Sequence, residues 1–471
     1  MDAVFRPLHL NLVHELEKAG FRAELGADSP TFVGDISDQT GPWRVIIPMD
    51  GGYPTRPPRA CLADTTAPQC WHQNRDGSMC LYTNAVRGVF PWLAPNNLID
   101  RVRDWCVHRA DGWPDDQPDL DLHRYWPPSS QYRLLIHSPL QEGCRGFRRL
   151  ALHPQTTSLR ECGAQAPPGH RGKSHRFRYA VVRDIGELSH PVTEWSQLRE
   201  LITEPDEVET ILRNDRAQVV LVRYTRSGHA GVLALHARPA KNALSFCAIE
   251  AAEDSPETIN LRRGPHLAEL MGKKVAIVGV GAVGSYLALN LHRAGLGRLT
   301  LSDYELLRPG NTARHAAERS FVGWNKADAM KRILQSPDQC VQSIPRIVSD
   351  IDQARQLVAQ HDLVADATSD DTVANLLAIA AAEAGTHIVS TYLENQGRTK
   401  VVEVITGPKS GWAQTSSMDP IGVDGFEAGR GDPVSPTPLY EVQALAAMAS
   451  RTVIELLVGK ARVVTQVCET P

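Results

Sequence analysis

The chain has 471 residues, ordinary globular proportions of 42% hydrophobic and 22% charged residues, and a formal net charge of −4. This length exceeds one ordinary core and predicts about three domains. The near-neutral charge gives no case for nucleic acid or a membrane as a partner, and residues 1–13 lack the basic and apolar regions of a signal peptide. We expect a multidomain protein of the cytoplasm.

Nine cysteines are scattered along the chain without a Cys-x-x-Cys pair or a close Cys/His cluster. This spacing argues against a disulfide framework and against a structural zinc site. We expect most of these thiols to be reduced and buried, so the question is which one is reactive.

The first elements predict an α+β domain. Leucine and valine recur at helical spacing from residue 8 and the pattern stops at Gly20, which indicates an amphipathic helix. β-rich runs at 31–36 and 43–48 predict two strands. The stretch NNLIDRVRDWCVHRA predicts a further helix, capped by Asn97, before the domain ends near residue 128.

The middle of the chain has a weaker pattern. Strand-like runs at 179–182 and 219–224 are interrupted by a Gly/Pro/Arg-rich stretch at 165–178. They predict a small α+β or β-rich domain. A basic stretch can contact an acidic partner, but a solvated loop is the more ordinary interpretation. Nothing here indicates chemistry.

From Lys273 the pattern changes to alternating strands and helices. A strand, a Gly-rich turn, a long apolar helix and a second strand form a βαβ unit. Continued alternation predicts a doubly wound, Rossmann-like α/β domain. Its later elements are expected at 327–335 (helix), 362–366 (strand), 372–384 (helix) and 439–458 (helix, ended by Gly459). The predicted domains are 1–128, 129–260 and 261–471.

A nucleotide fingerprint lies at the first strand-to-helix turn of this last domain. Gly279, Gly281 and Gly284 form G-x-G-x-x-G, which lets backbone N–H groups approach a phosphate at a helix N-terminus. Asp303 ends the next strand, where a carboxylate can accept hydrogen bonds from ribose hydroxyls. These features alone favour an NAD-dependent oxidoreductase.

The stretch DYELLRPGNTARHAAERSFVGWNKADAMKRIL changes that interpretation, because with it residues 262–460 resemble the ubiquitin-activating superfamily, including the adenylyltransferases of thiamine and molybdopterin biosynthesis. The resemblance implies that Asp303 holds ribose and that ATP and Mg²⁺ are bound. It further implies triphosphate contacts at Asn311 and Arg314, a phosphate contact at Lys326, magnesium at Asp366 in VADATSDD, and a further ATP contact at Arg262 or Arg263.

Those residue types suit acyl adenylation. Negative charge builds as a carboxylate attacks the α-phosphorus and pyrophosphate leaves, so fixed cations and a metal stabilise the transition state. Taken singly, each residue has an ordinary structural explanation, as a turn residue, a surface charge or a strand cap. Their combination at these offsets favours adenylation over hydride transfer.

The first domain carries a second set of motifs. YPTRPPRACL, then WHQNRDGSMCLYTN and FPWLAP, resemble the core of ubiquitin-conjugating enzymes over about residues 5–125. The resemblance implies that Cys80 forms the thioester, a role that suits the best side-chain nucleophile near neutral pH. His72-Gln73-Asn74 stands where the family has His-Pro-Asn, which makes Asn74 the candidate oxyanion donor. For His72 a structural role is favoured over that of a base.

Ubiquitin-activating enzymes normally carry their own cysteine in a loop that here falls within residues 406–438, and this stretch has none. Cys340 or Cys468 can act instead, although burial and a terminal tail are the simpler accounts of them. Direct transfer from the adenylate to Cys80, in the same or another subunit, is a further route. Ser416 or Ser417 as an oxygen nucleophile is the least favoured.

The fusion resembles bacterial ubiquitin-like systems, including those of antiviral operons, and this resemblance implies a homodimer. The expected cycle binds the C-terminal tail of a ubiquitin-like protein, adenylates it, forms a thioester at Cys80 and transfers it to an amine. Two other classes stay open. A nicotinamide-dependent oxidoreductase would purify with bound cofactor, and a non-catalytic scaffold would bind the ubiquitin-like protein without consuming ATP.

Overall fold

The computed structural model divides into two compact units, Met1–Ser255 and Pro256–Pro471. Each unit is described by itself. The structure describes residues 5–25, 30–38, 41–49, 52–64, 68–82, 90–113, 120–167, 176–240, 243–405, 435, 437–460 and 466–469.

The first unit begins with two helices and an antiparallel sheet of four strands in sequence order. Leu12 and Leu16 of the first helix are fully buried with Leu98 and Val102 of the second, against the fully buried Ile47 of the sheet. The elements are α1 (Arg6–Lys18), β1 (Arg22–Leu25), β2 (Pro30–Asp38), β3 (Gly41–Pro48), β4 (Cys61–Leu62) and α2 (Pro95–Asp111).

The N-terminus of α2 differs from the prediction. The helix begins at Pro95, two residues before the predicted cap Asn97, and its flanking residue Ala94 makes no side-chain capping bond. Proline is favoured at a first helical position because its missing N–H would have no helical partner there. The Asn97 Nδ2 group instead donates to the Pro91 carbonyl oxygen at 3.3 Å.

The rest of the first unit is a closed seven-stranded barrel with two short helices. Residues 219–222 of β9 are all fully buried, with Val220 and Val222 in one hydrophobic core and Val219 and Leu221 in another. Closure into a barrel was not predicted from the sequence. The elements are β5 (Leu134–His137), β6 (Gly146–Leu152), β7 (Leu159–Glu161), β8 (Phe177–Glu187), α3 (Trp195–Leu201), α4 (Pro205–Arg213), β9 (Val219–Arg226), β10 (His229–Ala240) and β11 (Ala243–Glu253).

The second unit is a seven-stranded sheet with helices on both faces. Its elements are α5 (Pro256–Asn260), α6 (Leu267–Leu270), β12 (Lys274–Val278), α7 (Ala282–Arg293), β13 (Arg298–Ser302), α8 (Lys326–Ile333), β14 (Cys340–Ile344), α9 (Ile351–Gln360), β15 (Leu363–Asp366), α10 (Asp371–Ala384), β16 (Ile388–Glu394), β17 (Thr399–Ile405), α11 (Leu439–Leu457) and β18 (Gln466–Glu469).

The strand order is β14-β13-β12-β15-β16-β17-β18, parallel from β14 to β16 and antiparallel beyond. Leu287 of α7 packs with Leu445 of α11 in one core, and Leu357 of α9 packs with Leu377 of α10 in the other. This arrangement confirms the predicted doubly wound, Rossmann-like domain, and it places the turn after β12 at a strand-order reversal, where such sheets bind ligands.

The nine cysteines are all free thiols, but the expectation that most are buried was wrong. Only Cys70 and Cys106 are buried. Several of the others lie on sheet edges, as Cys340 does at the start of the edge strand β14, where one side of the strand faces solvent. Across the described ranges, none of the helices combines the length and apolar character needed to cross a membrane.

Candidate functional sites

The glycines of the first strand-to-helix turn have different structural roles. Gly279 has φ +85°, and a Cβ there would lie 2.8 Å from backbone atoms of Ala367. A Cβ on Gly284 would lie 1.9 Å from the Gly279 carbonyl oxygen. A Cβ on Gly281 would meet no protein atom within 4 Å. The first and third glycines therefore serve close packing, whereas Gly281 leaves open space before the N-terminus of α7, where an anion is favoured.

The peptide groups around Val280 are held from two sides. The Val280 N–H donates to Asp303 Oδ2 at 2.8 Å, and the Val280 carbonyl oxygen lies 2.8 Å from His315 Nε2. The other ring nitrogen of His315 accepts from the Ala317 N–H at 2.9 Å, so the hydrogen must be on Nε2. Burial lowers the pKa of His315 to about 4, which keeps this ring neutral.

The predicted ribose ligand, Asp303, lies directly after β13 and is 8% exposed. It accepts the Val280 N–H through one carboxylate oxygen and the Glu305 N–H through the other, both at 2.8 Å. Burial raises the pKa of Asp303, and these hydrogen bonds oppose that shift. A carboxylate has about four acceptor positions, so two remain for hydroxyl donors.

Lys326 begins α8 beside the same carboxylate. The residue is buried, and its ammonium group pairs with Glu305. Asn325 holds the start of the helix by accepting the N–H groups of Ala327 and Asp328 through its side-chain oxygen, at 2.9 and 3.1 Å. An ammonium group has three donors, so a pairing with Glu305 is compatible with a phosphate contact.

Asn311 and Arg314 lie on a 3-10 turn, Pro309–Ala313, and just after it. Asn311 Oδ1 accepts the Arg308 N–H at 2.9 Å, so its side chain offers a phosphate oxygen only the Nδ2 hydrogens. The half-buried Arg314 donates from Nη1 to the Thr437 carbonyl oxygen at 3.4 Å.

The two arginines before β12 differ in their surroundings. The Arg263 side chain is 8% exposed, with Nη1 2.8 Å from Asp338 Oδ2 and Nη2 3.0 Å from Gln339 Oε1. Arg262 is exposed. Because Arg263 is held by these structural contacts, Arg262 is the better candidate for an ATP contact.

The predicted magnesium ligand Asp366 ends β15 and is 2% exposed. Its oxygens accept from the Thr368 N–H and hydroxyl (3.0 and 2.7 Å) and from the Ser390 hydroxyl (3.0 Å). Burial raises its pKa. The partly exposed carboxylate at the same strand end is Asp370, whose Oδ1 accepts the N–H groups of Thr372 and Val373 at the start of α10.

The part of the chain that the structure describes has no cluster of three His, Cys, Asp or Glu side chains able to enclose a metal. Mg²⁺ does not need one, because it is commonly held by one or two carboxylates together with substrate phosphates and water. The donor set at the end of β15 therefore fits magnesium bound with ATP rather than a metal held by protein alone.

A separate thiol site lies in the first unit, in the turn between β4 and α2. The Cys80 N–H donates to the His72 carbonyl oxygen at 2.8 Å, and the Trp105 indole N–H donates to the same oxygen at 2.8 Å. The His72 ring lies against Trp113, with ring centroids 5.2 Å apart. A half-buried Cys80 is thus fixed at the wall of a cavity of about 310 Å³, lined by His72, Cys80, Leu81, Arg101, Asp104, Trp105, His108 and Trp113.

Asn74 contacts Cys80, but not as an oxyanion donor would. The Cys80 thiol donates to Asn74 Oδ1 over 3.2 Å, while Asn74 Nδ2 donates to Ser78 Oγ at 3.0 Å. In this orientation the amide nitrogen is directed to Ser78 and the amide oxygen to Cys80. The role of Asn74 stays a prediction, and it requires the amide to rotate during the reaction.

Arg124 is a residue of this site that the sequence analysis missed. Its Nη2 donates to Asn74 Oδ1 at 3.4 Å and lies 3.8 Å from Cys80 Sγ. No motif spacing connects residue 124 with residue 80, because the two meet only through the fold. His315 in the second unit was missed for the same reason.

The two alternative cysteines are both exposed. Cys340 therefore differs from the expected burial, and it lines a cavity of about 710 Å³ beside Trp324, Lys331 and Arg332. Cys468 lies on β18, opposite Lys400 of β17. The loop expected to carry an activating cysteine, with Ser416 and Ser417, falls outside the described residues except at 435, 437 and 438.

The second unit belongs to the class of doubly wound α/β domains, and most of it matches a known family model. Residues 259–460 match the ThiF family, so this region of the chain is a ThiF domain. The predicted resemblance of this region to ubiquitin-activating adenylyltransferases is thereby confirmed. The conjugating-enzyme resemblance of the first domain stays a prediction.

Three curated relatives share short segments with the chain. "ATP-dependent ubiquitin transferase-like protein Cap2" of Enterobacter hormaechei subsp. hoffmannii is 37% identical over 121 residues, 25% of this chain and 20% of that protein. "Ubiquitin-like modifier-activating enzyme 5" of Drosophila grimshawi is 36% identical over 89 residues, 18% and 22% of the two chains. "Uncharacterized protein y4qC" of Sinorhizobium fredii is 34% identical over 142 residues, which are 28% of this chain and 24% of that protein.

The chain thus spans no more than 24% of the length of these relatives. Among solved structures, Escherichia coli MccB with ATP is similar at a TM-score of 0.36 and 20% identity, covering 43% of this chain and 62% of that chain.

Proposed function

We propose that the protein adenylates the C-terminus of a ubiquitin-like protein with ATP and transfers it as a thioester to Cys80 for ligation to a target amine. The observation that carries the proposal is a ThiF domain with an open glycine turn, in a chain that also holds Cys80 hydrogen-bonded to Asn74. The names of the Cap2 and activating-enzyme relatives agree with a ubiquitin-like substrate.

In the adenylation step, a carboxylate oxygen of the substrate tail attacks the α-phosphorus of ATP, and the bond to the pyrophosphate oxygen breaks. The phosphates lie before α7, where Gly281 leaves room and the helix N-terminus favours negative charge. Asp303 accepts the ribose hydroxyls. Lys326, Arg314 and the Nδ2 hydrogens of Asn311 stabilise the charge that develops on the phosphates.

In this proposal Asp366, as the resemblance implies, or the more accessible Asp370 would hold Mg²⁺, which when bound would neutralise phosphate charge. The protein's own contribution is to fix these carboxylates at the end of β15, beside the glycine turn. The closeness is seen at Gly279, where an added Cβ would lie 2.8 Å from backbone atoms of Ala367, the residue after Asp366.

In the transfer step, the Cys80 thiolate attacks the acyl carbon of the adenylate, a C–S bond forms and AMP leaves. An amine of the target then attacks the thioester carbon, a C–N bond forms and Cys80 leaves as a thiolate. Transfer to Cys80 is either direct, within one chain or between the two chains of a homodimer, or it passes through Cys340 or Cys468.

The proposed setting is a bacterial ubiquitin-like system of the cytoplasm, and the role we propose for it extends to antiviral defence. An NAD-dependent oxidoreductase and a non-catalytic scaffold are the alternatives. Purification with a bound nicotinamide would support the first, and binding of a ubiquitin-like protein without ATP turnover would support the second.

Pyrophosphate–ATP exchange with a candidate ubiquitin-like protein tests the first step, and a non-reducing gel tests the second. We expect exchange in both wild type and Cys80→Ala, with a thiol-sensitive adduct only in wild type. Cys162→Ala is the matched control, because this cysteine is exposed on the barrel. Absence of exchange with a verified partner would refute the activating assignment, and an adduct surviving Cys80→Ala would redirect it to Cys340 or Cys468.

A further inference from the structure

We propose that Arg124 is a catalytic residue of the Cys80 site and that the barrel of the first unit serves as the platform that holds it there. The inference rests on the proposed thioester role of Cys80. It gives the middle part of the chain, for which the sequence indicated no chemistry, a function in catalysis.

The guanidinium of Arg124 lies against both polar atoms at the thiol. Its Nη2 is 3.4 Å from Asn74 Oδ1 and 3.8 Å from Cys80 Sγ. The thiol hydrogen of Cys80 also points to Asn74 Oδ1. Once this hydrogen is lost, the thiolate and the amide oxygen repel each other, and a cation beside both offsets that repulsion. An arginine stays protonated at any physiological pH, so its charge is constant.

The short turn that carries Arg124 is anchored to the barrel. This 3-10 turn, Leu122–Tyr125, buries Leu122 completely, and the Leu122 N–H points to Tyr224 Oη of β9 at 3.4 Å. Tyr224 Oη in turn donates to the Leu120 carbonyl oxygen. Immediately after the turn, the Trp126 indole N–H donates to the Val192 carbonyl oxygen at 2.8 Å. Arg124 is therefore presented from a buried, hydrogen-bonded support.

The segment that leads into the thiol site is attached to the same support. The Trp71 indole N–H donates to the Ser189 carbonyl oxygen at 2.9 Å, and the Arg226 guanidinium lies over the Trp71 ring at 4.2 Å. Trp71 directly precedes His72, whose carbonyl oxygen accepts the Cys80 N–H. Cation and thiol are thus positioned by one structural body.

Arg124 acts at both ends of the thioester cycle. During loading it favours the thiolate that attacks the acyl carbon, because an adjacent positive charge lowers the free energy of the anion. During ligation the C–S bond breaks, the electron pair stays on sulfur, and Arg124 stabilises the departing thiolate while the attacking amine gives its proton to solvent. The arginine exchanges no proton in either step.

The test is the pH dependence of Cys80 alkylation by iodoacetamide in the full chain, which needs neither ATP nor a ubiquitin-like protein. The tryptic peptide 76–87 contains a single cysteine, so mass spectrometry reads Cys80 alone. We expect Arg124→Ala to raise the apparent pKa of Cys80 and to slow its alkylation at pH 7 on the order of tenfold, with partial recovery in Arg124→Lys.

Two further variants separate electrostatics from folding. Arg103→Ala removes an exposed arginine of α2 that pairs with Asp100 and does not line the thiol cavity, and it should match wild type. Tyr224→Phe removes one hydroxyl from the support of the turn, and it should shift the alkylation profile in the same direction as Arg124→Ala but less.

An unchanged alkylation profile in folded Arg124→Ala would overturn the inference. If Arg124→Ala shifts the alkylation profile but the wild-type protein forms no thioester with any ubiquitin-like protein, the result would count against the proposed function alone. If Arg124→Ala loses its thermal transition, Arg124→Gln preserves most of the side-chain volume and decides the question.

Discussion

His315 donates its Nε2 hydrogen to the Val280 carbonyl oxygen across 2.8 Å, and this bond joins the segment that carries Asn311 and Arg314 to the glycine turn. The ring is buried and neutral, with a pKa of about 4. The proposed nucleotide site therefore depends on a histidine whose ring is not a predicted ligand but joins two parts of that site.

The first prediction concerns acid stability. The folded pKa of His315 lies below the ordinary value of 6.5, so the unfolded state binds more protons between about pH 6.5 and pH 4. The free energy of unfolding therefore decreases as the pH is lowered from 6.5 to 4. The full loss from this group is on the order of 3 kcal/mol. His315→Gln should make the free energy of unfolding of residues 256–471 less dependent on pH on the acid side. Hydrogen exchange in the full chain measures this free energy.

The exposed His229 supplies the control, since His229→Gln should leave the acid limb unchanged. An acid limb in His315→Gln as steep as that of wild type would contradict the assignment. The buried His236 of β10, whose pKa burial also lowers to about 4, produces a similar loss in the first unit, where exchange must be followed separately.

The second prediction separates the glycines of the turn. Gly284→Ala places a methyl group 1.9 Å from the Gly279 carbonyl oxygen. It should lower the free energy of unfolding by about 1–3 kcal/mol and also impair pyrophosphate–ATP exchange. Gly281→Ala meets open space at an ordinary φ of −77° and should melt within a few degrees of wild type yet lose nucleotide affinity. Calorimetry and exchange kinetics on both variants measure this difference.

Equal loss of stability in the two variants would contradict these separate roles. So would ATP binding by Gly281→Ala as tight as that of wild type, because the space before α7 would then hold no phosphate.

The third prediction concerns the arginines before β12. Arg263→Ala removes a mostly buried side chain paired with Asp338 and should lower the free energy of unfolding by about 1–3 kcal/mol. Arg262→Ala removes an exposed side chain and should leave stability unchanged while raising KM for ATP. Thermal melts with pyrophosphate exchange distinguish the two. A normal KM in Arg262→Ala would remove this residue from the ATP site.

The fourth prediction concerns the carboxylates after β15. Because both Asp366 oxygens accept hydrogen bonds from Thr368 and Ser390, Asp366→Asn should destabilise the fold as well as impair exchange. Asp370→Asn should retain the fold and require more Mg²⁺ for half-maximal exchange. Magnesium titrations of both variants check this, with the exposed Asp350→Asn as a control helix cap. An unaltered magnesium titration in Asp370→Asn would assign the magnesium ligand to Asp366 instead.

The sequence predicted the parts of the fold that have a strong local signal. The helix expected from residue 8 runs from Arg6 to Lys18, and the βαβ unit around the glycine turn forms as expected. The prediction of Asn97 as the N-cap of α2 was wrong because a proline two residues earlier begins the helix. Barrel closure could not be predicted, since it depends on pairing between strands as distant as β5 and β11.

The candidate sites divide in the same way. Glycines, Asp303 and Cys80 follow motifs with fixed spacing, so the sequence could identify them. His315 and Arg124 act through contacts with Val280 and Cys80, which are distant along the chain or lie in irregular segments without periodicity. Only the folded arrangement brings these pairs together.

The core shared by Trp71, Leu122, Tyr125 and Trp126 with the barrel strands has a consequence for the history of this protein. A recombination event that separates the chain near residue 128 would expose these side chains and remove Arg124 from its support. The barrel and the cysteine-bearing segment are therefore expected to be inherited together, so surveys of genomes should find this barrel wherever the same cysteine turn and arginine occur. Laboratory chimaeras that exchange this part of the chain should take residues 5–255 as one piece.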